Sequence, residues 1–478
     1  MQSLFIVFIY LFIGPSNVEL PLPTFTQKEA LNEVQAEAEK IGIDLITEEE
    51  IFTTDIVANS SVGRYMEHHS FNEEKVRLLQ NEVTLYSYEV ASIDRTYAYD
   101  MEQNRFILAD NIYLQEDPDQ FVVHYFGEGY ELKGNKRTSE DELFDYWDVK
   151  KTYVAETSFT DIVNVVDIYL IGELIVGFEQ YGLARGFPQP EESMVEIIAH
   201  LFILLFLASL VVFVTIHLII KLVERQVEDF WEPFLLTIVA AFGWVFISKA
   251  LGSSLKGIGI IEPLMMIYLT FATLLIRWKK DSRPLTNRIY ELQPSVIHGF
   301  LLMFIAVLLA EGFFYIASYF DTWVSPVTTH NVLVQLDISL IPIFTLFIGL
   351  SAAITEEAIF RHYMVSLFER FGIFMSLVLT SFLWGILHIG YDMYLWYLYV
   401  LEFIVITGPF FYFVYMRYGF SASIFMHYFY NAWVTTLFLF TVDVRVAIVS
   451  LCVMLSPFLL FIVRKTNKRM DNQLEINY

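Results

Sequence analysis

From Leu201 to about Arg464 the chain is a succession of long apolar runs rich in Phe, Leu and Ile. A helix needs about 20 such residues to cross a hydrocarbon core roughly 30 Å thick, and in lipid its backbone polar groups must be satisfied internally. Hydropathy gives about nine spans, near residues 198–220, 233–248, 257–276, 297–319, 338–361, 373–389, 394–416, 419–441 and 446–463. The expected fold class is therefore a polytopic α-helical membrane protein. A mean hydropathy of +0.49 over 478 residues excludes a soluble enzyme, a disordered chain and a fibre.

Charge divides the chain in two. Residues 1–200 hold 37 acidic and 13 basic side chains, net −24, whereas residues 201–478 hold 18 and 17, net −1. The first part is expected to be a soluble α+β domain, residues 20–196. Thr26 and Glu29 can form a capping box for a polar helix expected over Lys28–Lys40. Strands are expected at Val83–Val90, Phe106–Leu114 and Phe121–Phe126. The adjacent His68 and His69 read as a solvated pair, and Asn59, Ser60 and Ser61 spell a glycosylation sequon of low specificity. Ahead of this domain, residues 1–19 carry the apolar run Leu4–Ile13, too short to span and read as a signal-peptide core or a short anchor.

Basic residues orient the apolar block. With the acidic domain outside, the inner side collects thirteen, from Lys221 and Arg225 through Arg277 to Arg469, and the outer loops keep Lys249, Lys256 and Arg445. This positive-inside bias makes the acidic domain extracytoplasmic and the tail, 465–478, cytosolic, in a cell-membrane protein. The acidic balance argues against nucleic acid as a partner, and a single cysteine, Cys452, rules out an intrachain disulfide or a zinc site that needs two thiolates.

Ionisable side chains within apolar helices cost several kcal/mol unless paired or watered, so each is a functional candidate. Three groups stand out: Glu356, Glu357 and Arg361; His388; and His427 with Asn431. Glu357 and Arg361, four apart, can pair along one helix face, while Glu356 is turned about 100° away and left over. His427 and Asn431, also four apart, present two potential donors on one face. Glu356 and His388 lie sixteen residues either side of Gly372, at one height on antiparallel neighbours. His217 and His298 lie near span ends with no acidic partner at matching depth, and His362, next to Arg361, faces elsewhere; all three read as interfacial or core residues.

The stretches EEAIFR (Glu356–Arg361), WGILH (Trp384–His388) and HYFYN (His427–Asn431) resemble, in order and spacing, the EExxxR, FxxxH and HxxxN motifs of the CAAX prenyl protease and bacteriocin-processing family of intramembrane endopeptidases. The resemblance spans about residues 295–464, giving an expected protease domain at 293–464 preceded by additional spans at 197–292. It departs from the common pattern at Trp384, where the family commonly has Phe. The resemblance implies peptide-bond hydrolysis in the membrane. Glu356 and His388 would activate a water, His427 and Asn431 would bind the oxyanion, and Glu357 with Arg361 would form a structural ion pair. It also implies a membrane-embedded or lipid-modified peptide substrate and no cofactor. Two other readings stay open: a zinc protease using His388, His427 and a glutamate, although no HExxH occurs, and a non-catalytic immunity, scaffold or transport protein.

Overall fold

The computed structural model describes residues 27–41, 53–69, 71, 73–91, 95–137, 147–187, 194–250, 261–279, 285–320, 322–324, 340–388 and 393–462. The apolar run Leu4–Ile13, Thr26 of the expected capping box and the basic tail lie outside them. The chain divides into two compact units, with the main division after Glu191.

The first unit is built on an eight-stranded sheet. Its strands are β1 (Thr53–Ala58), β2 (Tyr86–Ala91), β3 (Thr96–Asp100), β4 (Arg105–Leu114), β5 (Glu131–Arg137), β6 (Val149–Glu156), β7 (Ile162–Ile171) and β8 (Leu174–Ala184). The order is β1-β2-β3-β4-β8-β7-β6-β5, two antiparallel meanders joined where β4 pairs β8. Tyr88, Tyr97, Tyr99, Phe106 and Phe178 are buried, the alternation that covers one face of a sheet. Helix α1 (Gln27–Ile41) buries Val34 and Ala38, four residues apart. Helices α2 (Ser60–His68) and α3 (Glu73–Gln80) contribute Val62, Met66, Val76 and Leu79 to a second core cluster with Ile162 and Ala184.

Phe121–Phe126 is not a strand. Asp117 accepts from the backbone amides of Asp119 and Gln120 at 3.0 Å, Pro118 takes the first helical position, and a helical turn runs on as a π-turn over Val122–Phe126. Local capping thus overrides the β propensity of the aromatic run. Phe121 and Phe126 then pack on Phe178 of the sheet at 5.3 and 5.6 Å between ring centroids. Asn59 of the sequon is a helix cap: its Oδ1 accepts from Val62 N at 3.1 Å and its Nδ2 donates to Gly182 O at 3.0 Å. His69 stacks on Tyr65 at 4.1 Å and donates from Nδ1 to that residue's carbonyl.

A cleft of about 520 Å³ lies over the sheet, lined in part by Lys150, Asp167, Glu179 and Tyr181. Its charges are mostly satisfied among themselves. Asp167 takes an ion pair from Lys150 at 2.7 Å and hydrogen bonds from Thr152 and Tyr181. Burial pushes the Glu179 carboxyl up, and the neighbouring Asp167 charge adds to it.

The second unit is helical. Its helices are α4 (Met194–Val223), α5 (Trp231–Ala250), α6 (Ile261–Arg277), α7 (Leu285–Ala317), α8 (Ile341–Glu356), α9 (Ile373–Gly385), α10 (Trp396–Glu402), α11 (Gly408–Tyr418), α12 (Phe420–Val442) and α13 (Val444–Met454). Among the described residues four helical stretches are long and apolar enough to cross a membrane: Leu201–Val223, Ile289–Ala317, Ile341–Phe371 and Trp396–Tyr418. Four shorter apolar helices accompany them, within α5, α6, α9 and α13. The count of nine spans therefore rests on hydropathy alone.

Close approach of helices sets the frame of the site. A Cβ at Gly349 of α8 would sit 2.6 Å from the ring of Tyr428 on α12, and one at Gly299 of α7 would sit 2.6 Å from Phe425 Cβ. Small residues let apolar helices in lipid approach until their backbones nearly touch. Trp244 and Thr270 donate to the Thr355 hydroxyl at 3.0 and 3.1 Å, which anchors α8 one residue before Glu356.

Candidate active site

Helix α8 changes winding where its charges begin. It ends as an α-helix at Glu356 and continues as a π-helix over Glu357–Val365. Ser376 of α9 donates to the Val365 carbonyl at 3.1 Å at the far end of this segment. Such wide turns, energetically poorer than α, recur at functional sites. The four-residue spacing of Glu357 and Arg361 survives the change: Arg361 Nη1 lies 3.5 Å from Glu357 Oε1, an ion-pair distance without hydrogen-bond alignment.

The two glutamates are in different environments. Glu357 is fully buried. Its Oε1 accepts from His427 Nδ1 at 3.1 Å and its Oε2 accepts from the Ser423 hydroxyl, so α12 reaches it with two donors in addition to Arg361. Glu356 keeps 15% of its side chain exposed. Its Oε2 accepts from the indole Nε1 of Trp384 and stands 3.8 Å from His427 Nε2. Among the described residues Glu356 Oε1 accepts no hydrogen bond.

Aromatic rings close the site. The guanidinium carbon of Arg361 is 3.8 Å from the centroid of Trp384 and 5.2 Å from that of Phe411. A desolvated cation over an indole is worth about 2 kcal/mol or more, which helps hold a buried charge whose direct partner is imperfectly aligned. Phe411 also packs edge-on to His427 at 5.0 Å. Trp384 thus both faces the Arg361 guanidinium and donates to Glu356.

His388 follows α9 in a short 3₁₀ turn and stacks on Phe403 at 3.9 Å, 23° from parallel. Its Nδ1 lies 3.0 Å from the Trp384 carbonyl, which can only accept, so Nδ1 carries a proton and in the neutral ring Nε2 holds the lone pair. Glu356 lies within electrostatic reach of this ring. Asn431 is half-buried one turn beyond His427 on α12, and its side chain makes no hydrogen bond among the described residues. Glu356, Glu357, Arg361 and His427 therefore meet directly, His388 joins them through Trp384, and Asn431 is placed by its helix.

The three other histidines weighed in the sequence lie elsewhere: His217 bonds the Tyr363 hydroxyl at 2.9 Å, His362 stacks on Phe420 at 4.5 Å, and His298 packs on Tyr418 at 4.8 Å. Two polar groups were missed in the sequence. Ser423 precedes His427 by four residues and so shares its helix face, a signal that was available. Glu402, buried in the apolar α10 with the Thr407 hydroxyl donating to it across a π-turn, is the kind of intramembrane carboxylate that warrants a search for a role. Among the described residues no three His, Cys, Asp or Glu side chains are grouped so as to hold a metal ion.

Residues 338–433 match the family model described as Type II CAAX prenyl endopeptidase Rce1-like. The match takes in the Glu356–Arg361, Trp384–His388 and His427–Asn431 stretches and agrees with the family that they resemble. No curated protein and no solved structure was found to match the chain. The protein is a membrane protein with a CAAX-protease-like helical segment.

Proposed function

We propose that the helical unit is an intramembrane endopeptidase of the glutamate-dependent type, acting on a membrane-associated peptide or protein, with Glu356 as the base. The observation that carries this reading is the unequal treatment of the two carboxylates. Glu357 is saturated by Arg361, His427 and Ser423, whereas Glu356 keeps one oxygen unclaimed and part of its surface open.

Glu356 takes a proton from water while the water oxygen bonds the scissile carbonyl carbon. The oxyanion so formed accepts from the Asn431 amide and from His427 Nε2, for which the His427 ring carries both protons. Collapse breaks the C–N bond, and the proton held by Glu356 passes to the leaving amine. His388, through Nε2, orients the water or relays its proton. This sequence uses a carboxylate base and two side-chain donors and calls on no metal. By analogy with the prenyl endopeptidases whose model matches, a lipid-modified C-terminal peptide is the first substrate to try.

Asn431→Ala tests the oxyanion role. Turnover should fall on the order of 100-fold with the melting temperature kept, and wild-type activity should survive exhaustive treatment with a membrane-permeant chelator. Stoichiometric zinc in the purified protein, with activity lost on chelation and restored by zinc, would instead promote the metal mechanism.

The orientation belongs to the same proposal, with the sheet unit extracytoplasmic and the C-terminus cytosolic. Cysteines introduced at Ser139 and Asn472 should be labelled from outside intact cells at the first position and not the second; the opposite pattern would invert the topology.

A further inference from the structure

We infer that Trp384 is a positioning residue for the hydrolytic base, coupling Glu356 to the same guanidinium that neutralises Glu357. The inference rests on the peptidase reading above and deepens it. Glu356, Glu357 and Arg361 lie together on one helix, two carboxylates to one guanidinium, so a cation shared by both has to reach each of them. Arg361 meets Glu357 directly at 3.5 Å. It meets Glu356 through a ring: its cationic carbon lies 3.8 Å over the indole centroid, and the N–H of that indole donates to Glu356 Oε2.

An indole has a single hydrogen-bonding group, a donor, and here it is buried and spent on Glu356. A cation on the ring face draws on the π density and polarises the N–H further, so the donor that meets the carboxylate is stronger than an isolated indole. One arginine therefore serves two carboxylates, one by ion pairing and one by way of the ring. The groups facing Glu356 from other helices are Trp384 on α9, His388 in the turn that follows it, and His427 on α12.

The contact also differentiates the two carboxylate oxygens. Trp384 Nε1 and, at 3.8 Å, His427 Nε2 both address Oε2. Oε1 is left as the oxygen that accepts the proton of water, and the carboxylate is held against rotation about its terminal bond. A phenylalanine at 384 would keep a ring beneath Arg361 and lose the donor.

Trp384→Phe in the full-length protein is the test. The expected result is a melting temperature close to wild type, kcat lower by about 10- to 100-fold, the worth of one hydrogen bond to a charged acceptor, and KM changed by less than about twofold. A purely structural role would lower the melting temperature or change KM and kcat together.

A second measurement needs no turnover. With ¹⁵N-labelled indoles, the Trp384 resonance, identified by its loss in Trp384→Phe, should move upfield in Glu356→Ala as its acceptor is removed. Unchanged kcat in Trp384→Phe, or an indole resonance indifferent to Glu356→Ala, overturns the inference. Absence of any peptide hydrolysis by wild type, with the resonance still responding to Glu356→Ala, overturns the peptidase reading and the positioning role with it, and leaves only the hydrogen bond.

Discussion

Glu356→Gln should leave a folded protein whose peptide hydrolysis is reduced by about 1,000-fold, within the range that loss of a positioned general base produces. The substitution is nearly isosteric, and the Gln amide oxygen can still accept from the Trp384 indole, so packing around Arg361 persists. What disappears is an oxygen able to take a proton from water. The measurement is turnover of an internally quenched, lipid-modified peptide in nanodiscs, beside a thermal melt of the same preparation. Activity within tenfold of wild type would remove Glu356 from the chemistry.

Glu357→Gln should fail in the opposite way, by loss of stability. Arg361 is 2% exposed and meets no other carboxylate as closely, so neutralising Glu357 strands a cation in the apolar interior. Breaking a buried pair by removing one partner costs about 3 to 5 kcal/mol. Ser423 and His427 lose the charge of their shared acceptor in the same step, which adds to the effect and loosens α12 against α8. A much lower melting temperature or poor recovery from the membrane is the expected readout. If Glu357→Gln melts like wild type while losing as much activity as Glu356→Gln, the division of labour between the two glutamates is wrong.

These two outcomes differ because of what surrounds each carboxylate, and that was only half legible in the residues. The four-residue spacing puts Glu357 and Arg361 on one face, where they lie 3.5 Å apart, but no spacing along one helix shows that Trp384 from another helix donates to Glu356. Nothing in the sequence announces the π-helix at Glu357 either. A π-turn differs from α by small dihedral changes, has no strong residue preference, and is stabilised here by partners from other helices such as Ser376. In the sheet unit, Phe106–Leu114 was legible because it is rich in aromatic and aliphatic residues that favour strands. Phe121–Phe126 was misread because a cap at Asp117, four residues before the apolar run begins, outweighs propensity. The three long strands from Val149 to Ala184 were overlooked, although β7 is apolar and rich in β-branched residues.

By itself the sequence determined the partition into an acidic domain and an apolar helical block, since charge and hydropathy are additive properties that need no coordinates. It also determined which side chains share a helix face, because that follows from a residue count along one helix. Only the tertiary structure decided which donor meets which carboxylate. Those bonds cross between helices, and their reach depends on how closely α8, α9 and α12 approach and on how each is rotated about its axis. That rotation is set by contacts such as Gly349 against Tyr428 and by the wide turn after Glu356, where distant parts of the chain meet.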